Sequence, residues 1–318
     1  MSQRLAVVGA GAVGRSVAEL AGEYGHTVTA IADSGGAVVA PDGVDVAAAL
    51  ERKDREGTVA AGADVDDVLA GEYDVLVEAT PTTLGDAEPG FSHVRAALES
   101  DRHVVLANKG PVAERYGDLM DLAAESAGEV LFEATVGGAI PVLSTIHDFG
   151  PAHISAARGV LNGTANFILS RMAAEGLGYE HVLAEAQDMG VAEADPTFDV
   201  EGTDAALKCV ILANVLSGGE REFSLADASV EGIRDIPGSA LDLAAEENRT
   251  VRLIGEATPE GVSVGPRLVP TNGALSVTGT RNIVQLETEH AGRLNVSGRG
   301  AGGPETATAV LADVGRLD

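Results

Sequence analysis

Apolar residues in the first part of the chain come in short, β-branched runs separated by stretches of helical period. Leu5-Ala6-Val7-Val8 is such a run and reads as a buried strand. Gly9-Ala10-Gly11-Ala12-Val13-Gly14 follows at once, then a segment with Val13, Val17, Leu20, Ala21 and Tyr24 on one helical face. Gly25 closes that segment, and Thr27 to Ala32 reads as the second strand. Tyr73 to Ala79, Val104 to Ala107 and Val130 to Thr135 continue the series. The first of these runs into Thr80-Pro81-Thr82-Thr83 and the second into Asn108-Lys109-Gly110-Pro111. Strands alternating with helical segments predict an α/β unit on a parallel sheet. Further on, the Asn162-Gly163 turn leads into a helix that Thr164 is placed to cap. Asp199 through Lys208 enters another helix, apolar on nearly all sides as far as Ala213. From Leu253 the chain turns strand-rich, then closes with the glycine-rich Gly298 to Pro304 and a helix over Thr306 to Leu311.

Gly9, Gly11 and Gly14 form G-x-G-x-x-G between a strand and a helix, the context in which that spacing carries meaning. The first glycine makes the turn, the second lets backbone approach a pyrophosphate, and the third brings helix against strand. The helix N-terminus, at Ala12 and Val13, then offers N–H groups to the phosphates. Asp33 ends the second strand 19 residues after Gly14. An acid there reads the adenosine ribose 2′-hydroxyl and favours NAD over NADP. Arg52, Lys53 and Arg55 offer charge to a 2′-phosphate instead, so the preference stays open on this reading. In open parallel sheets ligands sit beyond the carboxyl ends of strands, which puts Lys109 where nicotinamide and substrate meet.

Composition narrows the class. The 318 residues suffice for two domains and are 45% hydrophobic, yet only 3% aromatic. No apolar run approaches the roughly 18 residues of a membrane span. The first strand follows the N-terminus too closely for a secretory leader. One cysteine, Cys209, excludes an internal disulfide and fits a reducing compartment, so a cytoplasmic location is expected. Forty-nine acids against 21 bases give a formal net charge of -28. Self-repulsion on that scale is relieved by screening, which suits a salt-rich cytoplasm. The same balance argues against nucleic acid as a partner, because phosphate backbones require a basic face. Of the 21 bases only three are lysines: Lys53, Lys109 and Lys208. A residue this scarce is expected where a proton must be exchanged, which Arg does not do.

The densest chemistry lies between Gly190 and Ala213. Gly190-Val191-Ala192-Glu193-Ala194-Asp195-Pro196 carries acids in a constrained loop. Asp204 and Lys208 stand four apart and share a helix face. On a surface such a pair contributes about 0.3–0.5 kcal/mol. Amid Ala205 to Ala213 it is expected to be buried, and a buried lysine beside acids has a tuned pKa. Cys209 lacks a neighbouring histidine in sequence and reads as core packing. The seven histidines are scattered without metal-ligand spacing, so no transition-metal site is expected.

Six segments in order resemble the motifs of homoserine dehydrogenases: Ala107 to Lys109, Glu133 to Pro141, Asn162 to Leu169, Ala192 to Pro196, Asp199 to Lys208, and Gly300 to Gly303. The resemblance covers nearly the whole chain. It implies a Rossmann-type doubly wound parallel sheet plus an α+β catalytic and dimerisation domain. The nucleotide domain would comprise residues 1–135 with 304–318 returning to it, and the second domain 136–303, which would pair two chains through its sheet. The implied reaction is reversible reduction of L-aspartate 4-semialdehyde to L-homoserine by NADH or NADPH, in threonine and methionine synthesis. By the same resemblance Lys208 is the acid/base and Lys109 assists it. Glu193, Asp204, Asp199 and Gly190 bind the substrate, while Thr80, Gly300 and Gly302 line the cofactor beside the first glycine loop. Glu133, with the backbone of Val136, Gly138 and Ile140, is implied to hold Na⁺ or K⁺. Ser34 stands where some NADP-preferring relatives carry Arg, which leans the expectation towards NAD. No regulatory amino-acid-binding domain is expected after the last glycine loop. Two rival readings are a non-catalytic dinucleotide-sensing protein and another Rossmann amino-acid reductase, of the aspartate dehydrogenase or dihydrodipicolinate reductase type. The second fails to explain Asp204 with Lys208, and the first gives no reason for lysine at these positions.

Overall fold

The computed structural model describes residues 2–60 and 62–317. It divides into two compact units, one running to Ala139 and resuming at Ala301, the other spanning Ile140–Gly300.

The first unit is built on six strands: β1 (Arg4–Val8), β2 (Thr27–Asp33), β3 (Gly36–Val39), β4 (Val75–Glu78), β5 (His103–Leu106) and β6 (Val130–Leu131). They lie in the order β3-β2-β1-β4-β5-β6, all parallel except β3, which folds back on β2. Chain order reverses between β1 and β4, and ligands of such sheets bind outside the carboxyl ends of the strands at that switch. The strands are continuous apolar runs because both faces are covered. Leu5, Val7, Val17, Ile31, Val75, Val77, Val105, Val310 and Leu311 share one buried core, each such side chain contributing about 1.5–3 kcal/mol by burial. Val310 and Leu311 come from the last helix, Gly303–Val314, which packs beside the first, Ala12–Leu20. Gly303 allows this, since a Cβ there would lie 2.7 Å from the Ala12 carbonyl oxygen. The late glycine loop therefore returns to the start of the first helix. The expected strand from Val130 is shorter than its pattern suggests. It ends at Leu131, and Glu133–Thr135 winds into a 3-10 turn.

The second unit carries β7 (Ile154–Val160), β8 (Ala228–Val230), β9 (Arg249–Thr258), β10 (Gly261–Pro270), β11 (Arg281–Thr288) and β12 (Gly292–Arg299). Their order is β12-β11-β7-β9-β10-β8, antiparallel apart from the β10–β8 pair. Helix Thr203–Ser217 packs on this sheet, and 13 of its 15 residues are buried. Gly255 on β9 makes room for it, because a Cβ there would lie 2.4 Å from Cys209 Sγ. Burial pushes the Cys209 thiol up to about 12, so it is packing and not a nucleophile. Among the described residues no helix is long and apolar enough to cross a membrane.

Candidate active site

In the first unit the three glycines have separate physical reasons. Gly9 adopts φ +103°, and a Cβ there would lie 2.4 Å from the Ala79 carbonyl at the end of β4. A Cβ on Gly14 would lie 1.7 Å from the Gly9 oxygen, so that position admits only glycine. Gly11 is different: a Cβ there meets nothing within 4 Å, and the residue is exposed at the start of helix Ala12–Leu20. That helix has no side-chain cap and no acid in its first turn. Its first N–H groups have no side-chain acceptor and stand beside a backbone without a side chain, which fits a phosphate. Val13 is half-buried behind them.

A buried polar network lies at the ends of β4 and β5. Glu78, wholly inaccessible, accepts from the Thr80 N–H at 3.0 Å, from the Thr80 hydroxyl, and from Asn108 Nδ2 at 3.3 Å. Its other oxygen sits 2.8 Å from His93 Nδ1. Asn108 caps the following helix through the Gly110 N–H at 2.9 Å and also donates to the Thr80 hydroxyl at 3.0 Å. Lys109 is the first residue of that helix, half-buried, its N–H 3.4 Å from Thr82 Oγ1. Glu78 and His93 were not singled out from sequence. The available signal is a carboxylate closing an otherwise apolar strand, Val75-Leu76-Val77, since a charge so placed must be paired.

Asp33 ends β2 with its carboxylate already engaged. Lys53 Nζ lies 2.7 Å away, and the Val59 N–H, the Gly35 N–H and the Thr58 hydroxyl donate at 2.9, 2.8 and 3.0 Å. Burial pushes this carboxyl up, but Lys53 and the other donors outweigh it and hold it below the ordinary range. The scarce Lys53 is thereby accounted for.

The second unit assembles the lysine site. Lys208 Nζ donates to Asp204 Oδ2 and to the Leu161 carbonyl, both at 2.6 Å, in a helix position only 6% exposed. Asn162 joins the acids, its Nδ2 lying 2.9 Å from Asp204 Oδ2 and 2.6 Å from Asp199 Oδ1. Its own oxygen accepts from the Ala165 N–H at 2.8 Å, so Asn162, and not Thr164, caps helix Gly163–Glu175. Thr164 lies one residue inside and donates to the Val191 carbonyl. Asn282 on β11 donates to the same Leu161 carbonyl at 3.0 Å. Gly300 has its reason here, for a Cβ would lie 2.0 Å from Asn282 Nδ2. Gly302 lies in the first unit, exposed at the start of its last helix with φ +126°. Lys208, Asp204 and Asp199 are therefore brought together. Glu193 and Gly190 stay exposed on their loop, and among the described residues Glu193 shares no hydrogen bond with Asn162, Asp204 or Lys208. Gly190, at φ +69°, turns the chain out of the preceding helix.

Near the end of β6, Glu133 is buried, and its N–H donates to Asp313 Oδ2 at 2.8 Å. Burial, reinforced by the Glu133 charge, pushes the Asp313 carboxyl up to about 6 against the Glu133 N–H and Arg316. Val136 donates back to the Glu133 carbonyl, and Gly137 and Gly138 take φ +113° and +58°, which turns successive carbonyls away from an extended path. Ile140 begins the second unit, its carbonyl accepting from the Val142 N–H at 2.8 Å.

Residues 141–314 match the family model for homoserine dehydrogenase, a span that contains the entire Asn162–Asp199–Asp204–Lys208 cluster. The chain belongs to the homoserine dehydrogenase family. Homoserine dehydrogenase of Methanocaldococcus jannaschii is 38% identical over 97% of this chain and 96% of its own length. An NAD(+)-dependent homoserine dehydrogenase of Pseudomonas canavaninivorans is 35% identical, covering 98% and 95%. Among solved structures, an Archaeoglobus fulgidus protein provisionally named homoserine dehydrogenase superposes with TM-score 0.90 and 41% identity over 99% of this chain and 98% of that one. A hyperthermophilic archaeal homoserine dehydrogenase in complex with NADPH gives 0.85 at 28% identity, covering 99% and 97%. Residues 1–84 also match the model for glutamate/leucine/phenylalanine/valine dehydrogenase, which fits a nucleotide unit of general type. Family membership agrees with the α/β fold expected from the strand–helix alternation.

Proposed function

We propose that this chain is an NAD(P)-dependent homoserine dehydrogenase, interconverting L-aspartate 4-semialdehyde and L-homoserine, with Lys208 as its acid/base. The carrying observation is the hydrogen bonding of the Lys208 ammonium. Among the described residues two of its three N–H donors are committed, to Asp204 and to the Leu161 carbonyl, which leaves the third for a substrate oxygen. Nicotinamide, when bound, supplies or takes the hydride. As the aldehyde oxygen gains negative charge, Lys208 donates its proton to it, and in the reverse direction takes that proton back. Asp204 and the Leu161 carbonyl aim Nζ before transfer. Asp199 and Asp204, drawn together by Asn162, present negative charge to the substrate ammonium. For Glu193 and Gly190 in the same role the support is family resemblance, since both are exposed.

On the nucleotide side, Gly9, Gly11, Ala12, Val13 and Gly14 would hold the pyrophosphate. Thr80, fixed by Glu78 and Asn108, would line the nicotinamide with Lys109 and Gly302. Gly300 would act from behind by seating Asn282. An NAD preference is supported by the ion pair at the end of β2, since Lys53 reaches a 2′-phosphate only by leaving Asp33. Asp33 would meet the ribose through the same exchange. The Glu133–Ile140 turn would hold Na⁺ or K⁺. The net charge of -28 supports work in a salt-rich cytoplasm, and the second unit's sheet is the surface through which a homodimer would form. Oxidation of L-homoserine in molar KCl, followed by nicotinamide absorbance with NAD and NADP side by side, tests the reading. Turnover in the wild type and its loss in Lys208→Arg are expected. Cofactor binding without turnover would replace it with a dinucleotide sensor.

A further inference from the structure

Two of the seven histidines, without ligand spacing in sequence, come together in space. His153 precedes β7, while Glu289 and His290 occupy the turn between β11 and β12, 136 residues away. His153 Nδ1 lies 3.2 Å from Glu289 Oε2, and His290 Nε2 lies 3.5 Å from that same oxygen. All three ligand atoms fall within 4.8 Å of one another. A tetrahedral ion with bonds near 2.0–2.1 Å holds its ligand atoms about 3.3–3.4 Å apart. Two edges of that tetrahedron are therefore nearly in place. The remaining edge closes by rotating His290, whose side chain is 77% exposed and therefore able to turn.

The backbone beneath is held. The Glu289 N–H donates to the His153 carbonyl at 2.9 Å, tying turn to strand. Thr288 Oγ1 donates to the Gly292 carbonyl at 2.8 Å and accepts from the Ala291 N–H at 2.9 Å, which tightens the turn from within. The nearest acid on β11, Glu287, is matched by Arg158 and Arg293 at 2.7 and 2.9 Å, so it does not compete. The surrounding surface belongs to a chain of net charge -28, whose field concentrates cations.

We propose that His153, Glu289 and His290 form a surface site for a divalent transition cation of the zinc, nickel or copper class. Two imidazoles and one carboxylate are the donors such ions prefer over calcium or magnesium. Water completes the coordination, and the bound ion clamps the β11–β12 turn to the start of β7. None of its three residues belongs to the cluster around Lys208, and its occupancy does not depend on the proposed reaction.

The test is calorimetric titration of the metal-stripped full chain with Zn²⁺ at pH 8 in molar KCl, where loose attraction to acids is screened. One equivalent is expected. Glu289→Gln, His153→Ala and His290→Ala should each weaken it at least tenfold, with homoserine oxidation unchanged. Co²⁺ should give the intense visible bands of a tetrahedral centre in the wild type only. Binding that survives in the His153→Ala/His290→Ala double variant overturns the site, as does equal binding of Mg²⁺. A Zn²⁺-induced rise in melting temperature should appear in the wild type and vanish in the double variant; an equal rise in both also overturns it.

Discussion

Replacing Lys208 by Met removes an ammonium that is 6% exposed, together with its 2.6 Å bonds to Asp204 and to the Leu161 carbonyl. The carbonyl keeps Asn282 and is little affected. Asp204, 7% exposed, keeps Asn162 but loses its countercharge. Removing one partner of a buried ion pair costs about 3–5 kcal/mol, because a charge is left desolvated and uncompensated. The double variant Asp204→Asn/Lys208→Met removes both charges, and its amide oxygen still accepts from Asn162. It should recover all but about 1 kcal/mol, the scale of an ordinary hydrogen bond. Urea denaturation gives the stabilities, and homoserine oxidation gives the turnover of the same preparations. Turnover should stay depressed about 10²–10⁴-fold in the double variant although its fold is restored, the usual contribution of a positioned acid/base. A single variant costing under about 1 kcal/mol would show that the pair is not desolvated. A double variant with near-normal turnover would remove Lys208 from the chemistry.

Gly11→Ala should leave stability within about 1 kcal/mol, as its Cβ meets open space, while raising the cofactor KM. Gly14→Ala should unfold the first unit in a urea titration, given the 1.7 Å approach to the Gly9 oxygen. The folded Asp313 carboxyl titrates at about 6 against an ordinary 3.8, so the native state binds its proton more tightly. Its contribution is fully present below 3.8 and declines as pH rises to about 6, by up to about 3 kcal/mol at 1.36 per unit. Stability measured from pH 3 to 8 should lose this slope in Asp313→Asn. Glu78→Gln should raise the cofactor KM by loosening Thr80 and Asn108, and an unchanged KM would confine Glu78 to packing. Asp33→Asn should change the NAD/NADP ratio of kcat/KM several-fold; the same ratio in both forms would refute its role at the ribose.

Much of this protein follows from short apolar runs, glycine spacing and a period of 3.6 residues along the chain. Those patterns mark the strands around Gly9 to Gly14, the helix that carries Lys208 four residues after Asp204, and the late glycine loop, because each depends on neighbours a few residues apart. Local pattern erred where partners are distant. Thr164 lost the cap to Asn162 because the cap depends on where the chain enters the helix, not on which polar residue stands nearest. The strand from Val130 stopped after Leu131 because β5 pairs with only two of its residues. Tertiary packing alone brought His93 to Glu78, Lys53 to Asp33, Asn162 to Asp199 and Asp204, and His153 to Glu289. Such pairs span 15 to 136 residues, and no local period encodes them. Their contact is decided when a buried polar group must find a partner on whichever strand or helix the fold has placed beside it, or when a turn lands beside a strand's start.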